Sequence, residues 1–298
     1  MSATFVDSDV GPDDLLALFL LFHLTTAEEV DVAVTFGNEL LDRCIRNLAV
    51  FLNLRRVRPR HVQRGAADPL HGKATDYTGP TNIDGLGSIT AGPYRDVPDQ
   101  IRTCALAEAK PPYARMIAIG PLTDLHRLVG RATAPLTVMG GAFEVDGNMS
   151  KYAEFNFFCD AEAAASVFDG WPDEIRVVPL DLTQQVVLGR EWLRDLCARY
   201  AIRLSAFLRD AQTFAMDQYG KPRGIDGCNP HDSLAVFAAF FPEAFEWRRG
   251  RVHVVTEGEE CARAVLTEDE NGRHYVAQLV DQPRFFALLE QAFAAATS

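Results

Sequence analysis

Short apolar runs alternate with longer amphipathic ones along most of this chain, and that rhythm restricts the fold more than any other feature. Residues 4–6 read as a strand and 12–24 as the helix after it, with Pro12 at the first helical position and Asp13 and Asp14 in the first turn. Strands are expected at 30–36, 115–119, 136–139 and 175–179, and helices at 40–54, 122–129 and 161–168. Helical patterns then cover 190–200, 204–219, 232–240 and 284–295. Between the last two, residues 253–279 alternate like strands around a turn at 270–272. Repeated strand–helix order with long crossovers gives a mostly parallel sheet with helices on both faces. The expected architecture is one α/β domain over residues 1–298. Its open, Rossmann-like sheet is flanked by helices, with a small extra β region near the carboxyl terminus.

The charge balance narrows the partners. Of 298 residues, 41 are acidic and 29 are Lys or Arg, a net charge of −12, so the chain has no electrostatic reason to bind a nucleic-acid polymer or an anionic membrane. Small neutral substrates and divalent cations remain open. The longest apolar run, 15–24, is shorter than a membrane span. The six cysteines are scattered without a CxxC pair, which fits reduced thiols, and MSATFVDSDVG carries no leader pattern; the expected location is the cytoplasm.

Chemistry concentrates in four segments. In Val6–Asp14, four carboxylates (Asp7, Asp9, Asp13, Asp14) fall within eight residues at the end of the first strand, the edge where open α/β sheets bind ligands. Carboxylates so close repel one another, and a hard cation with oxygen ligands relieves that. A helix start alone explains Asp13 and Asp14 but not Asp7 and Asp9. Asn229–Ser233 opens an apolar helix with His231 and Asp232. Met139–Ala142, Gly147-Asn148 and Glu154–Asn156 join glycines, which let a backbone approach a ligand closely, to amide and carboxylate groups suited to sugar hydroxyls. Ile119–Asp124 is a strand-to-helix turn whose carbonyls could join a metal.

Together these segments resemble the inosine–uridine-preferring nucleoside hydrolases. That family opens with DxDPGxDD, and this chain has DSDVGPDD. It also shows Phe36-Gly37-Asn38, Arg46-Asn47, DGLG at 84–87, GPLTD at 120–124 where the family has GPLTN, and MGG at 139–141. Gly147-Asn148, AEFN at 153–156, LDLT at 180–183 and His231-Asp232 follow in family order. The resemblance implies a Ca²⁺-dependent nucleoside N-ribohydrolase, a homodimer or homotetramer. Its metal ligands would be Asp9, Asp14, the Ile119 carbonyl and Asp232. Asp9 would also take the proton of the attacking water. Asp13, Asn38 and Asn156 match residues that hold the ribose 2′- and 3′-hydroxyls, and Asn148 and Glu154 match those at the 5′-hydroxyl. Met139 falls among the substrate-binding positions, Tyr219 matches a base-contacting tyrosine, and Asp7 fits a role in orienting the loop. Such bond cleavage passes through an oxocarbenium-like sugar, which carboxylates and amide oxygens stabilise. His231 is the candidate acid for the leaving base, with structural support of Asp232 as the alternative.

The match departs from the family in places. Val10 replaces the usual Pro, a small change in loop rigidity. Thr81 or Asn82 and Gln184 stand where histidines are common, so the nucleobase side is altered and a non-standard base is expected. Asp217, Arg223 and Asp226 could bond such a base or form a solvated loop. Two other readings stay open at this stage. One is a haloacid-dehalogenase-like Mg²⁺ phosphohydrolase with Asp7 as nucleophile. The other is a nucleoside-binding protein with little turnover.

Overall fold

The computed structural model describes residues 3–75, 84–106, 112–132 and 134–297. Its first apolar run is β1 (Thr4–Ser8), buried along its whole length. The chain turns at 9–11 and enters α1 (Pro12–Leu24), a helix apolar nearly all round and therefore buried on almost every face. Then come β2 (Val30–Val34), α2 (Leu41–Arg55), β3 (His61–Arg64), β4 (Cys104–Ala105), β5 (Arg115–Ala118), α3 (Thr123–Leu128) and β6 (Leu136–Met139). A long loop leads to the short α4 (Phe155–Cys159), then α5 (Ala161–Gly170), β7 (Ile175–Val178) and α6 (Leu180–Thr183).

The strands order as β1–β2–β3–β4 on one side of β1 and β1–β5–β6–β7 on the other, all parallel. The winding therefore reverses beside β1, leaving a crevice at the carboxyl ends of β1 and β5. The remaining elements are β8 (Leu188–Gly189), α7 (Arg190–Arg199), α8 (Arg203–Ala215), β9 (Gly227–Cys228), α9 (His231–Phe240), β10 (Phe245–Val254), β11 (Ala264–Glu268), β12 (His274–Val280) and α10 (Gln282–Ala295). The carboxyl-terminal strands extend the main sheet to ten strands: β12 pairs parallel with β7, and β10 runs antiparallel between β12 and β11.

Two cores fill the faces. One packs α1, α2, α8, α9 and α10 together, with Phe19 and Phe293 in ring contact at 4.7 Å; the other packs α3 and α5 beneath the sheet. Truncating a fully buried leucine such as Leu16 in this packing costs about 2–5 kcal/mol.

Three expectations need correction. β10 starts at Phe245, not near 253, because Arg248 and Arg251 obscure the alternation while pairing with Glu268 and Asp269 on its flank. The helix expected over 204–219 ends at Ala215 and widens into a π-helical turn, Met216–Gly220. Val10 is not a minor change either: its φ of +43° is left-handed backbone, which a proline ring cannot adopt. Among the described residues no helix is long and apolar enough to cross a membrane.

Candidate active site

The crevice beside β1 is a cavity of 620 Å³. Its floor comes from the turn between β1 and α1 and from the start of α9. Asp13, Asp14 and Asp232 each bring a carboxylate oxygen within 4.8 Å of the other two. Asp14 lies under the surface, fixed by Ser8 Oγ at 2.6 Å, Gly11 N at 2.9 Å and Asn38 Nδ2 at 3.1 Å. Asn38 N donates to Asp9 Oδ2 at 2.6 Å, while Asp9 Oδ1 is buried with no hydrogen-bond partner. Gly37 makes this possible, because its φ is +154° and a Cβ there would sit 2.1 Å from Asp9 Oδ2.

Burial, then the neighbouring Asp14, pushes Asp9 well above the usual carboxylate range, and the same causes bring Asp13 to about 7. Asp232 is raised by burial and by Asp13, Asp14 and Asp9 in turn. A bound cation would reverse that penalty, and converging oxygens from acidic side chains suit a hard one. Three converging carboxylates beside the orphaned Asp9 oxygen fit such an ion. Ile119, whose N–H donates to Asp7 O at 2.8 Å, lines the cavity beside them.

The sugar-sized wall is built by β6 and the loop before α4. Met139, Asn148, Glu154 and Asn156 all line it. Glu154 caps α4: Oε1 accepts from Asn156 N at 2.9 Å, and Oε2 from Gly141 N at 3.0 Å and Phe157 N at 3.2 Å. Burial raises its carboxyl group, and those N–H donors oppose the rise. Asn156 Nδ2 donates to Met139 O at 3.1 Å, so the group it can offer a ligand is Oδ1. Gly140 and Gly141 do not line the cavity. Their missing side chains make room for the Phe157 ring, 2.5 Å and 3.0 Å from where a Cβ would sit.

At the same helix start as Asp232, His231 Nδ1 lies 2.7 Å from Thr183 Oγ1, and burial, then Arg223, lowers the ring to about 4. The π-helical turn places Gln218 and the half-exposed Tyr219 on the rim, with Gln184, Gln212, Arg223 and Asn229 around it.

The comparisons with known proteins agree with this geometry. A family model described as inosine-uridine preferring nucleoside hydrolase matches residues 4–287. The chain belongs to that family. Uridine nucleosidase 1 of Arabidopsis thaliana is 28% identical over 266 residues, covering 85% of this chain and 78% of its own. The pyrimidine-specific ribonucleoside hydrolase RihA of Shewanella woodyi is 29% identical over 271 residues, covering 85% and 84%. A purine-preferring ribonucleoside hydrolase from Gardnerella vaginalis superposes with a TM-score of 0.84 at 22% identity over 99% of both chains, which shows the shared fold. The protein is thus a hydrolase acting on ribonucleosides, with a small-molecule nucleoside as its substrate.

Membership of the nucleoside hydrolase family sets aside the phosphohydrolase alternative, and the placement of Asp7 agrees. Asp7 is fully buried, does not line the cavity and has no hydrogen-bond partner on either carboxylate oxygen. Burial, then Asp124 and Asp14, raises it strongly. Asp124 stands where this family has Asn; burial brings it to about 7, although Ala66 N donates to its Oδ1 at 2.8 Å.

Other family motifs prove to be braces. Asn47 Nδ2 ties Val10 O (3.1 Å) to Asp84 O (2.7 Å), and the Asp84 carboxylate gathers the N–H groups of Leu86, Ser88 and Thr90. Asp181 accepts from Phe143 N at 2.9 Å and Glu144 N at 2.6 Å, holding the loop that carries Asn148.

Asp217 and Asp226 do not reach the cavity, whereas Arg223 does. Thr81 and Asn82 lie outside the described residues. Gln212 and Gln218 were not singled out from the sequence, and Thr183 and Asn229 lay in named segments without being given a role. Thr183 sat in a recognisable motif whose partner, His231, is 48 residues away, while Gln212 and Gln218 match no motif.

Proposed function

We propose that the protein hydrolyses the N-glycosidic bond of ribonucleosides to free base and ribose with a bound Ca²⁺. The observation that carries this reading is the convergence of Asp13, Asp14 and Asp232 next to the unpartnered Asp9 Oδ1, under a cavity lined by amides and carboxylates. Asp9, Asp14, Asp232 and the Ile119 carbonyl would hold the ion, with Asp13 close enough to share in it. When bound, the ion neutralises these carboxylates, polarises ribose hydroxyls and acidifies water.

The chain's own residues do the rest. Asp9 Oδ1, with no donor of its own, is free to accept the proton of the attacking water. Asp13, Asn38 and Asn156 orient the 2′- and 3′-hydroxyls; Asn148 and Glu154 hold the 5′-hydroxyl beside Met139. The carboxylates stabilise positive charge as it develops on the sugar. His231 is neutral near pH 7, given its lowered value of about 4. When Thr183 donates to Nδ1, the ring proton sits on Nε2, and His231 serves the leaving base as a hydrogen-bond donor.

Gln184, which lines the cavity where the family commonly has histidine, supports a non-standard base preference. Residues 1–298 act as one domain in this reading, supported by a ten-stranded sheet that, among the described residues, joins strands from β1 to β12.

The test is ribose release from purine, pyrimidine and modified nucleosides, with and without a calcium chelator. Release that the chelator abolishes and Ca²⁺ restores is expected. Release indifferent to the chelator would remove the ion from the reaction. Nucleosides that raise the melting temperature without releasing ribose would make the protein a binder.

A further inference from the structure

Arg190 ties the 216–226 segment of the cavity's rim to the ribbon beside it, while Arg223 Nη1 within that segment donates to Asn229 Oδ1 at 2.9 Å. β8 pairs with β9 through only two residue pairs, Leu188 with Cys228 and Gly189 with Gly227. So short a ribbon is marginal alone. Gly220 packs against it so closely that a Cβ would lie 1.8 Å from Gly227 O. Arg190, directly after β8, closes the open end. Its Nη2 meets Asp217 Oδ1 at 2.7 Å, its Nε meets Asp226 Oδ1 at 2.8 Å, and its backbone N donates to Asp226 O at 3.2 Å. Asp217 immediately precedes Gln218 and Tyr219; Asp226 lies just beyond Gly224, where the backbone turns at φ +72°. Among the described residues, no other ion pair ties 216–226 to the rest of the molecule.

We propose that Arg190 is a positioning residue for nucleobase recognition. Its two ion pairs hold 216–226 in the shape that sets Gln218, Tyr219 and Arg223 on the cavity. This rests on the nucleoside reading of the cavity. A single exposed pair contributes little, but one ordered guanidinium serving two carboxylates spreads its entropic cost over both contacts. The planar fork matters as well, since an ammonium group cannot reproduce two directed bonds at that spacing. None of the three charged side chains lines the cavity, so any effect on substrate must pass through the segment they hold.

The experiment compares Arg190→Gln and Arg190→Lys with the unaltered protein. In Arg190→Gln, KM for uridine and inosine is expected to rise about tenfold, while the inhibition constant of free ribose stays unchanged. Arg190→Lys should fall between. Asp217→Asn should raise KM in the unaltered protein and add nothing in Arg190→Gln, because the pair it removes is already lost. Hydrogen exchange should accelerate across 216–230 in Arg190→Gln and nowhere else, a readout that needs no turnover. Unchanged KM, unchanged exchange, or equal rises in KM and in the ribose constant would each overturn the proposal. If the unaltered protein released no ribose from any nucleoside, the nucleoside reading would fall instead, and the exchange measurement would still decide whether Arg190 anchors the segment.

Discussion

The two sides of the cavity are built by different means. The carboxylate floor sits on strand ends and a buried helix start, where backbone N–H groups of Gly11 and Asn38 fix Asp14 and Asp9. The rim sits on a π-helical turn, a two-pair ribbon and side-chain contacts that reach solvent. Backbone donors cannot change without changing the fold, whereas surface side chains can. The floor therefore keeps the family pattern from Asp7 to Asp14 apart from Val10, while the rim departs from it at Gln184. The same scaffold can hold one sugar chemistry and vary the base it reads.

The sharpest way to break this contrast is at the floor. Asp9→Asn should cut ribose release by about 10³-fold or more on every nucleoside, with the fold intact by circular dichroism. Loss confined to some bases would mean that Asp9 belongs to the rim.

His231→Ala comes next. We expect a loss of about 10²-fold on uridine or inosine and a much smaller one on a nitrophenyl riboside, whose leaving group needs no assistance. Equal losses on both would remove His231 from the leaving-group role. Thr183→Val should act through the same ring with a loss of about fivefold, the worth of one hydrogen bond, and leave the inhibition constant of free ribose unchanged.

The smallest effect is on stability, and Asp13 and His231 contribute to it with opposite sign. Asp13, raised from 3.8 to about 7, contributes stability that is whole below pH 3.8 and lost as pH rises through 7. His231, lowered from 6.5 to about 4, contributes stability that is whole above pH 6.5 and lost as pH falls through 4. Asp9, Asp14 and Asp232 act with Asp13. Chelated protein should thus melt at a lower temperature at pH 8 than at pH 5. Added Ca²⁺ should flatten that slope; a slope indifferent to Ca²⁺ would detach the ion from these carboxylates.

Much of the floor was legible in the sequence because its residues are close together in the chain. Asp9, Asp13 and Asp14 lie on one strand–turn–helix, and Pro12 with its acidic neighbours marks the helix start. The carboxyl-terminal strands were legible as strands but not as part of the main sheet, since pairing between β12 and β7 joins His274 to Ile175 across a long separation. The π-helical turn left no trace, because its residues fit an ordinary helical pattern up to Tyr219.

Local periodicity and short-range spacing, then, determined the α/β class and the acidic turn at the end of the first strand, since each depends on residues a few positions apart. Tertiary structure alone decided that Thr183 holds His231, that Asp7 is sealed beside Asp124, and that Arg190 braces the rim. Each of these depends on two distant segments meeting, and a one-dimensional pattern does not encode a distance between its own remote parts.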